Sequence, residues 1–251
     1  MAKRLGYLYD NIYKIENIKQ SFDEVCKNTK NKAKVNRFKE YRCINIFRIH
    51  TILKNKEYVP GPYTQFVIYE PKKRDVVSQR MFDKVVNHLV ARYILLPSLE
   101  SCLINTNVAS RLNKGTTAGL EYYFKFRKTC EKKYGKYYIL KCDVKKFFAS
   151  INHDVLKEKL KRKIKDKDAL KIVFDIIDND EKGLSIGNMT SQILAIFYLN
   201  DFDHFVKEEL KIKYYVRYQD DFLLLHPSKE YLKKCLEKIR FFLERWKIRI
   251  K

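Results

Sequence analysis

Two adjacent carboxylates, Asp220 and Asp221, stand between two runs that read as strands, Tyr214-Tyr215-Val216-Arg217-Tyr218 and Phe222-Leu223-Leu224-Leu225. Apolar and aromatic runs around a short polar turn predict a β-hairpin. Two anions this close repel each other unless a cation sits between them, so the turn either leaves both in water or belongs to a site for a hard divalent ion. The plainer reading is a solvated turn, because Asp favours turns. A third carboxylate, Asp143, lies near the end of Tyr137-Tyr138-Ile139-Leu140-Lys141-Cys142-Asp143-Val144, which reads as a largely buried strand. If the two strands are neighbours in one sheet, Asp143 closes the site. Such oxygen ligands suit Mg²⁺, and two ions about 4 Å apart can activate an attacking hydroxyl and stabilise a leaving phosphate oxygen.

The rest of the chain alternates helical and strand-like stretches. Residues 1 to 55 carry helical periodicity with dense basic charge, with Phe22, Val25 and Cys26, then Phe38, Tyr41, Ile44 and Phe47, on the apolar faces. After the turn-rich Tyr58-Val59-Pro60-Gly61-Pro62, the run Gln65 to Glu70 has strand character, and Met81 to about Leu103 returns to helical spacing. A helix is expected from Ala118 to Tyr134, another after Ser150 or Asn152, a long one from Thr190 to Leu210, and a last one capped by Ser228. Gly183 and Gly187 bracket a tight loop before the long helix. Strands scattered among helices, with a hairpin, predict an α+β fold and not a doubly wound parallel sheet.

Lys and Arg outnumber Asp and Glu 53 to 30, giving a formal net charge of +23 distributed along the chain. A polyanionic partner follows, nucleic acid first among them; the plain alternative is a lysine-rich composition on solvated faces. The six cysteines lack zinc-type pairing and are too few for a disulfide scaffold, so they read as reduced thiols of a cytoplasmic protein. The most apolar stretch, Leu89 to Leu99, is broken by Arg92 and Pro97, so no membrane span is expected.

Tyr218-Gln219-Asp220-Asp221, together with the strand end Asp143-Val144-Lys145-Lys146-Phe147-Phe148, resembles the two metal-binding motifs of reverse transcriptases. Between them, Gly183-Leu184-Ser185-Ile186-Gly187-Asn188-Met189-Thr190-Ser191-Gln192 has the Ile/Val/Leu-Gly-Asn then Ser-Gln form of diversity-generating retroelement enzymes, where group II intron enzymes read Gln-Gly then Ser-Pro. The resemblance extends from about Lys72 to Arg249. It implies right-hand polymerase fingers and palm, with an antiparallel palm sheet packed on helices. The segments would be a helical N-terminal layer at 1–55, fingers with part of the palm at 56–135, and palm at 136–251. The chain stops at Arg249-Ile250-Lys251, where relatives continue into a lysine-bearing palm segment and a helical thumb, so a thumb is expected to be absent.

The same resemblance implies residue roles. Asp143, Asp220 and Asp221 would be catalytic, with Val144 beside them in the ligand set for two Mg²⁺ ions, Mn²⁺ being the alternative. Lys72, Arg74, Phe148, Ile186 and Gly187 would contact the deoxynucleoside triphosphate. Phe148 would exclude a 2′-hydroxyl, or be an ordinary core aromatic, and Arg74 would offer its fork of donors to phosphate oxygens. Ile186 stands where many relatives carry a Gln, which implies loosened base discrimination; the bland reading is that it packs beneath the loop. Arg111, Lys114, Ser191, Gln192 and Tyr218 would meet primer or template, though Arg111 and Lys114 also suit a solvated basic loop. His153 fits a helix cap better than catalysis. Implied partners are template RNA, a DNA or RNA primer and a small basic accessory protein. The alternatives are a defence-type or intron-type enzyme and a non-catalytic RNA-binding relic.

Overall fold

The computed structural model describes residues 5–69 and 73–251, with Arg74 described by its backbone alone. In chain order the elements are α1 (Ile15–Asn28), α2 (Lys32–Glu40), α3 (Arg42–Lys54), β1 (Thr64–Ile68), β2 (Arg74–Ser78), α4 (Met81–Val90), α5 (Leu96–Leu99) and α6 (Thr116–Tyr134). Then come β3 (Tyr138–Asp143), α7 (Phe147–Ser150), α8 (His153–Lys161), α9 (Lys167–Asp178), α10 (Met189–Tyr198), α11 (Asn200–His204), β4 (Tyr214–Tyr218), β5 (Asp221–His226) and α12 (Lys229–Glu244). The α+β class expected from the sequence is the class found.

The chain divides into two compact units, each discontinuous in sequence: 1–101 with 153–194, and 102–152 with 195–251. In the first unit α1 packs on α3 and α4 and buries Ile18, Phe22, Val25 and Cys26, the spacing of one helical face. Asp166 caps α9, accepting from the amides of Asp168 and Ala169, and also accepts from Leu8 and Tyr9 at 2.8 and 2.9 Å, which pins the N-terminal segment. Burial alone would raise its pKa, but these four amides hold it below the usual carboxylate value. β1 and β2 form an antiparallel hairpin with Thr64 opposite Ser78.

Three expectations need correction here. Tyr41, Ile44 and Phe47 are exposed, and α3 buries Ile46, Ile49 and Leu53 instead. The chain breaks at Tyr41 between α2 and α3, so the apolar period restarts with a different phase. The stretch from Met81 contains a π turn at Ala91–Leu95, just before Pro97, whose ring displaces the carbonyl four residues back. The long helix expected from Thr190 is interrupted at Leu199, and the chain resumes as α11 followed by a π turn at Phe205–Glu209.

The second unit is built on an antiparallel sheet in the order β3-β5-β4. Side chains alternate across a sheet, so the register assigns its two faces. Tyr214 opposite Leu225 puts those two on one face, where they pack with Cys130 and Phe126 of α6. Tyr215, Phe222 and Leu224 take the other face, and the rings of Tyr215 and Phe222 both meet Phe202 of α11, which in turn meets Phe242 of α12. Ser228 caps α12 by accepting from the amide of Tyr231, as its sequence predicts. Short segments lie along both outer strands at the turn end of the sheet. Asn107 bridges to Arg217 of β4, and Ile250 bridges to Val144 just past β3. Among the described residues no helix is long and apolar enough to cross a membrane, and all six cysteines are free thiols.

Candidate active site

β4 and β5 are joined by the two-residue turn Gln219-Asp220, with Tyr218 paired to Asp221. Gln219 adopts φ 53°, a left-handed backbone uncommon for a residue with a side chain and typical of the first position of tight hairpin turns. The neighbouring strand places Asp143 directly opposite Asp221. By strand alternation Asp143, Asp221 and Tyr218 share one face of the sheet, and the Val144 amide donates to the Asp220 carbonyl at 3.3 Å. The three carboxylates expected to form one site are therefore brought to one end of one sheet.

Their electrostatics follow from this crowding. Burial raises the pKa of Asp220, and the negative charges of Asp143 and Asp221 raise it further. The Lys251 ammonium contacts the Asp143 carboxylate, and the fields of Asp143, Asp220 and Asp221 all raise its pKa, after that hydrogen bond as the first cause. A cationic group thus lies against Asp143 within the field of all three anions. Among the described residues no three His, Cys, Asp or Glu side chains are arranged to enclose a metal ion as they stand. The chemistry of the donors fits one nonetheless: hard oxygens, mutually repelling, already drawing a positive charge. Asp143, Asp220 and Asp221 would hold it, with Val144 supplying the backbone beside them.

The other expected contacts fall into two groups. In the second unit Tyr218 is 43% exposed beside Asp221. Phe148 is half-buried on α7 with its ring edge-on to Phe147 at 5.8 Å, after Lys146 turns the chain with φ 50°. Arg111 donates to the carbonyls of Ile104 and Asn107 at 2.7 and 2.8 Å, and Lys114 donates to that of Asn105 at 2.8 Å. Both cations thereby organise the 104–107 loop, whose neighbour Ser110 accepts from the Gln219 side chain at 2.9 Å.

In the first unit the Ile186 carbonyl accepts from the Val77 amide at 3.1 Å, so the glycine-bracketed loop lies along β2. Gly187 has φ 124°, and a Cβ there would stand 2.6 Å from the Val77 carbonyl oxygen, so only glycine fits. Asp180 holds the loop through the amide of Ser185 at 2.8 Å and through its hydroxyl. Asn188 is buried and donates to the Tyr63 hydroxyl, and Thr190 donates to Asn87 at 2.6 Å. Ile186 is 37% exposed, Gln192 is exposed and Ser191 is buried. Lys72 and the side chain of Arg74 lie outside the described residues; the Arg74 backbone opens β2. His153 begins α8, and its ring lies 2.5 Å from the Gly183 carbonyl oxygen, an anchoring role.

One pair escaped the sequence. Arg217 and Asp203 are fully buried and joined by two 2.6 Å hydrogen bonds. The available signal was an arginine in the middle of an otherwise apolar strand, a placement that requires a buried partner.

Residues 71–251, well over half of the chain, match the family described as reverse transcriptase (RNA-dependent DNA polymerase). No curated protein matches. Among solved structures the chain is similar to telomerase from Candida albicans in complex with a fragment of telomeric RNA (TM-score 0.57, 14% identity, covering 79% of this chain and 44% of that one). It is also similar to telomerase from Candida tropicalis truncated from its C-terminal domain (0.57, 14%, covering 80% and 53%) and to apo telomerase from the same organism (0.57, 14%, covering 77% and 44%). The chain spans about half the length of these structures, and at such identity the likeness is one of fold. With a family match across both metal-type motifs and the loop between them, the chain belongs to the reverse transcriptase family of RNA-directed DNA polymerases.

Proposed function

We propose that this chain forms the fingers and palm of an enzyme that adds deoxynucleotides to a primer on an RNA template. The observation that carries the reading is the register placing Asp143 opposite Asp221, with Asp220 in the turn between the strands. Divalent ions, when bound, supply activation of the primer hydroxyl and stabilisation of the leaving phosphate oxygen. The chain's own part is to hold three carboxylates where like charges would otherwise disperse, and to present Tyr218 on the same sheet face for the primer end. Phe148 limits the space for the sugar, and Ile186 with Gly187 forms the apolar floor of base selection. Lys72 and Arg74 take the triphosphate. Arg111, Lys114, Ser191 and Gln192 serve primer and template.

The loop sequence Ile186-Gly187-Asn188 followed by Ser191-Gln192 favours a diversity-generating retroelement, whose enzyme works in the cytoplasm with a template RNA and a small basic accessory protein. Ile186 is an aliphatic, partly exposed side chain and cannot make the polar contacts a Gln would, which supports a mutagenic copying step.

The test is deoxynucleotide incorporation on a primed RNA template with Mg²⁺, beside the Asp220→Asn, Asp221→Asn double variant. Incorporation abolished in the variant supports the reading. RNA binding that falls steeply with salt, with no metal-dependent synthesis by the wild-type chain under any primer, would replace it with a binding role.

A further inference from the structure

Among the described residues Arg217 is the largest fully buried side chain. Its guanidinium is held on two sides by Asp203, Nε on one oxygen and Nη2 on the other, each at 2.6 Å. Nη2 also donates to the carbonyl of Ile196 at 2.9 Å. Asp203 accepts further hydrogen bonds from the Tyr215 hydroxyl at 2.7 Å and the Asn107 amide at 3.2 Å, which fixes the orientation of the fork. The nitrogen left over, Nη1, donates to the carbonyl of Gln219 at 2.7 Å.

That last bond is the informative one. Gln219 is the left-handed residue of the turn, and its carbonyl begins the peptide that carries Asp220. Strand alternation sends the Arg217 side chain to the face opposite Asp143 and Asp221, so the guanidinium grips the turn from behind and stays clear of the carboxylates. The main chain of Arg217 is held at the same height, its amide donating to the Thr106 carbonyl and its carbonyl accepting from the Val108 amide, both at 3.0 Å. A buried ion pair contributes little net stability compared with apolar residues of the same volume, so stability alone does not account for a charge placed here. A planar fork with five fixed donors can hold both oxygens of one carboxylate and still aim a further N–H at a chosen carbonyl; an ammonium has three donors on one atom and lacks that fixed bidentate geometry.

We infer that Arg217, oriented by Asp203, is a positioning residue that fixes the turn carrying Asp220 so that the carboxylates meet the reacting phosphate in register. The inference rests on the polymerase reading for its effect on rate, while the tether itself is independent of it.

Two variants test it. Arg217→Lys keeps the charge for Asp203 and loses the fork. Arg217→Met with Asp203→Asn removes both charges while leaving an acceptor for Tyr215 and Asn107. Tyr215→Phe, which takes one hydrogen bond from Asp203 and leaves the tether, is the comparator. Hydrogen exchange of the Asp220 and Asp221 amides is expected to quicken at least about tenfold in both variants, with the Leu224 amide unchanged, since local opening is read amide by amide. Turnover at saturating nucleotide is expected to fall about 100-fold while the nucleotide KM moves little, the pattern of a small misplacement of catalytic groups. Turn amides as protected as in the wild type would overturn the tether, and so would turnover losses matched by Tyr215→Phe at equal Tm. Failure of both variants to fold would assign the pair to stability and overturn the proposal. A wild-type chain that does not polymerise would sink the functional reading alone, because the exchange measurement still reports the tether.

Discussion

The turn at Gln219-Asp220 and the loop at Gly183–Asn188 are both short, both carry residues proposed for nucleotide chemistry, and are held in place by different means. The turn is gripped by a fully buried guanidinium and carboxylate, with a second hold from Ser110. The loop is held mainly by main chain and close approach, with the Val77 amide on Ile186 and glycine at Gly187, and by the Asp180 carboxylate on Ser185. The contrast follows from what each presents. Clustered anions push the turn apart and need a strong internal hold, whereas a loop that presents an aliphatic side chain and a bare backbone is held well enough by close approach.

The largest effect expected from breaking this contrast is at the sheet. Asp143→Asn should reduce incorporation by about a thousandfold, the scale of several kcal/mol of lost transition-state stabilisation, while circular dichroism and Tm stay near wild type. A comparable loss of Tm would mean that the carboxylate serves folding instead. On the loop side, Gly187→Ala forces a side chain into a left-handed backbone against the Val77 carbonyl and should destabilise by about 1–3 kcal/mol, read by urea unfolding. Tolerance of alanine there would show that the loop does not rely on close approach.

Titration sharpens the comparison with opposite signs in two aspartates. Asp220 has its pKa raised in the folded state, so its charged form opposes folding: its contribution to stability is fully present below the ordinary carboxylate pKa and is lost as pH rises through the raised folded-state value. With chelator present at pH 7, Asp220→Asn should therefore melt above wild type, by about 2–4 °C for each kcal/mol relieved, and added Mg²⁺ should narrow the gap. Asp166 has its pKa lowered, so its contribution is present above the usual carboxylate pKa and lost as pH falls through the lowered one. Asp166→Asn should melt below wild type at pH 7 and converge with it in acid. The smallest structural effect belongs to Ile186→Gln, partly exposed, which should change stability by no more than about 0.5 kcal/mol and lower misincorporation several-fold. An unchanged error spectrum would remove the basis for assigning base discrimination to this position.

Much of this arrangement was legible in the sequence because it is local. The apolar and aromatic runs around a polar turn at 214–225 announced the hairpin, the Tyr137–Val144 run announced its neighbour, and Ser228 announced the start of α12. The register of Asp143 against Asp221 could be posed only as a condition, since nothing local fixes a pairing between residues nearly eighty positions apart. The Arg217–Asp203 pair was only half legible for a related reason: an arginine inside an apolar strand calls for a buried partner, but nothing local names that partner, and Asp203 sits on a separate helix. The faces of the N-terminal helices were misjudged where a one-residue break at Tyr41 reset the phase of an otherwise regular pattern.

The two short segments bridging to Arg217 and Val144 have a consequence for how the molecule behaves among its own copies. A three-stranded sheet has two outer strands, each a template on which a second chain can add a strand and begin aggregation. Here both outer strands are occupied at the end where the repelling carboxylates gather, so that end offers little free ladder to a neighbour. Substitutions that loosen the 105–108 segment should therefore show themselves first as concentration-dependent self-association, before any loss of secondary structure.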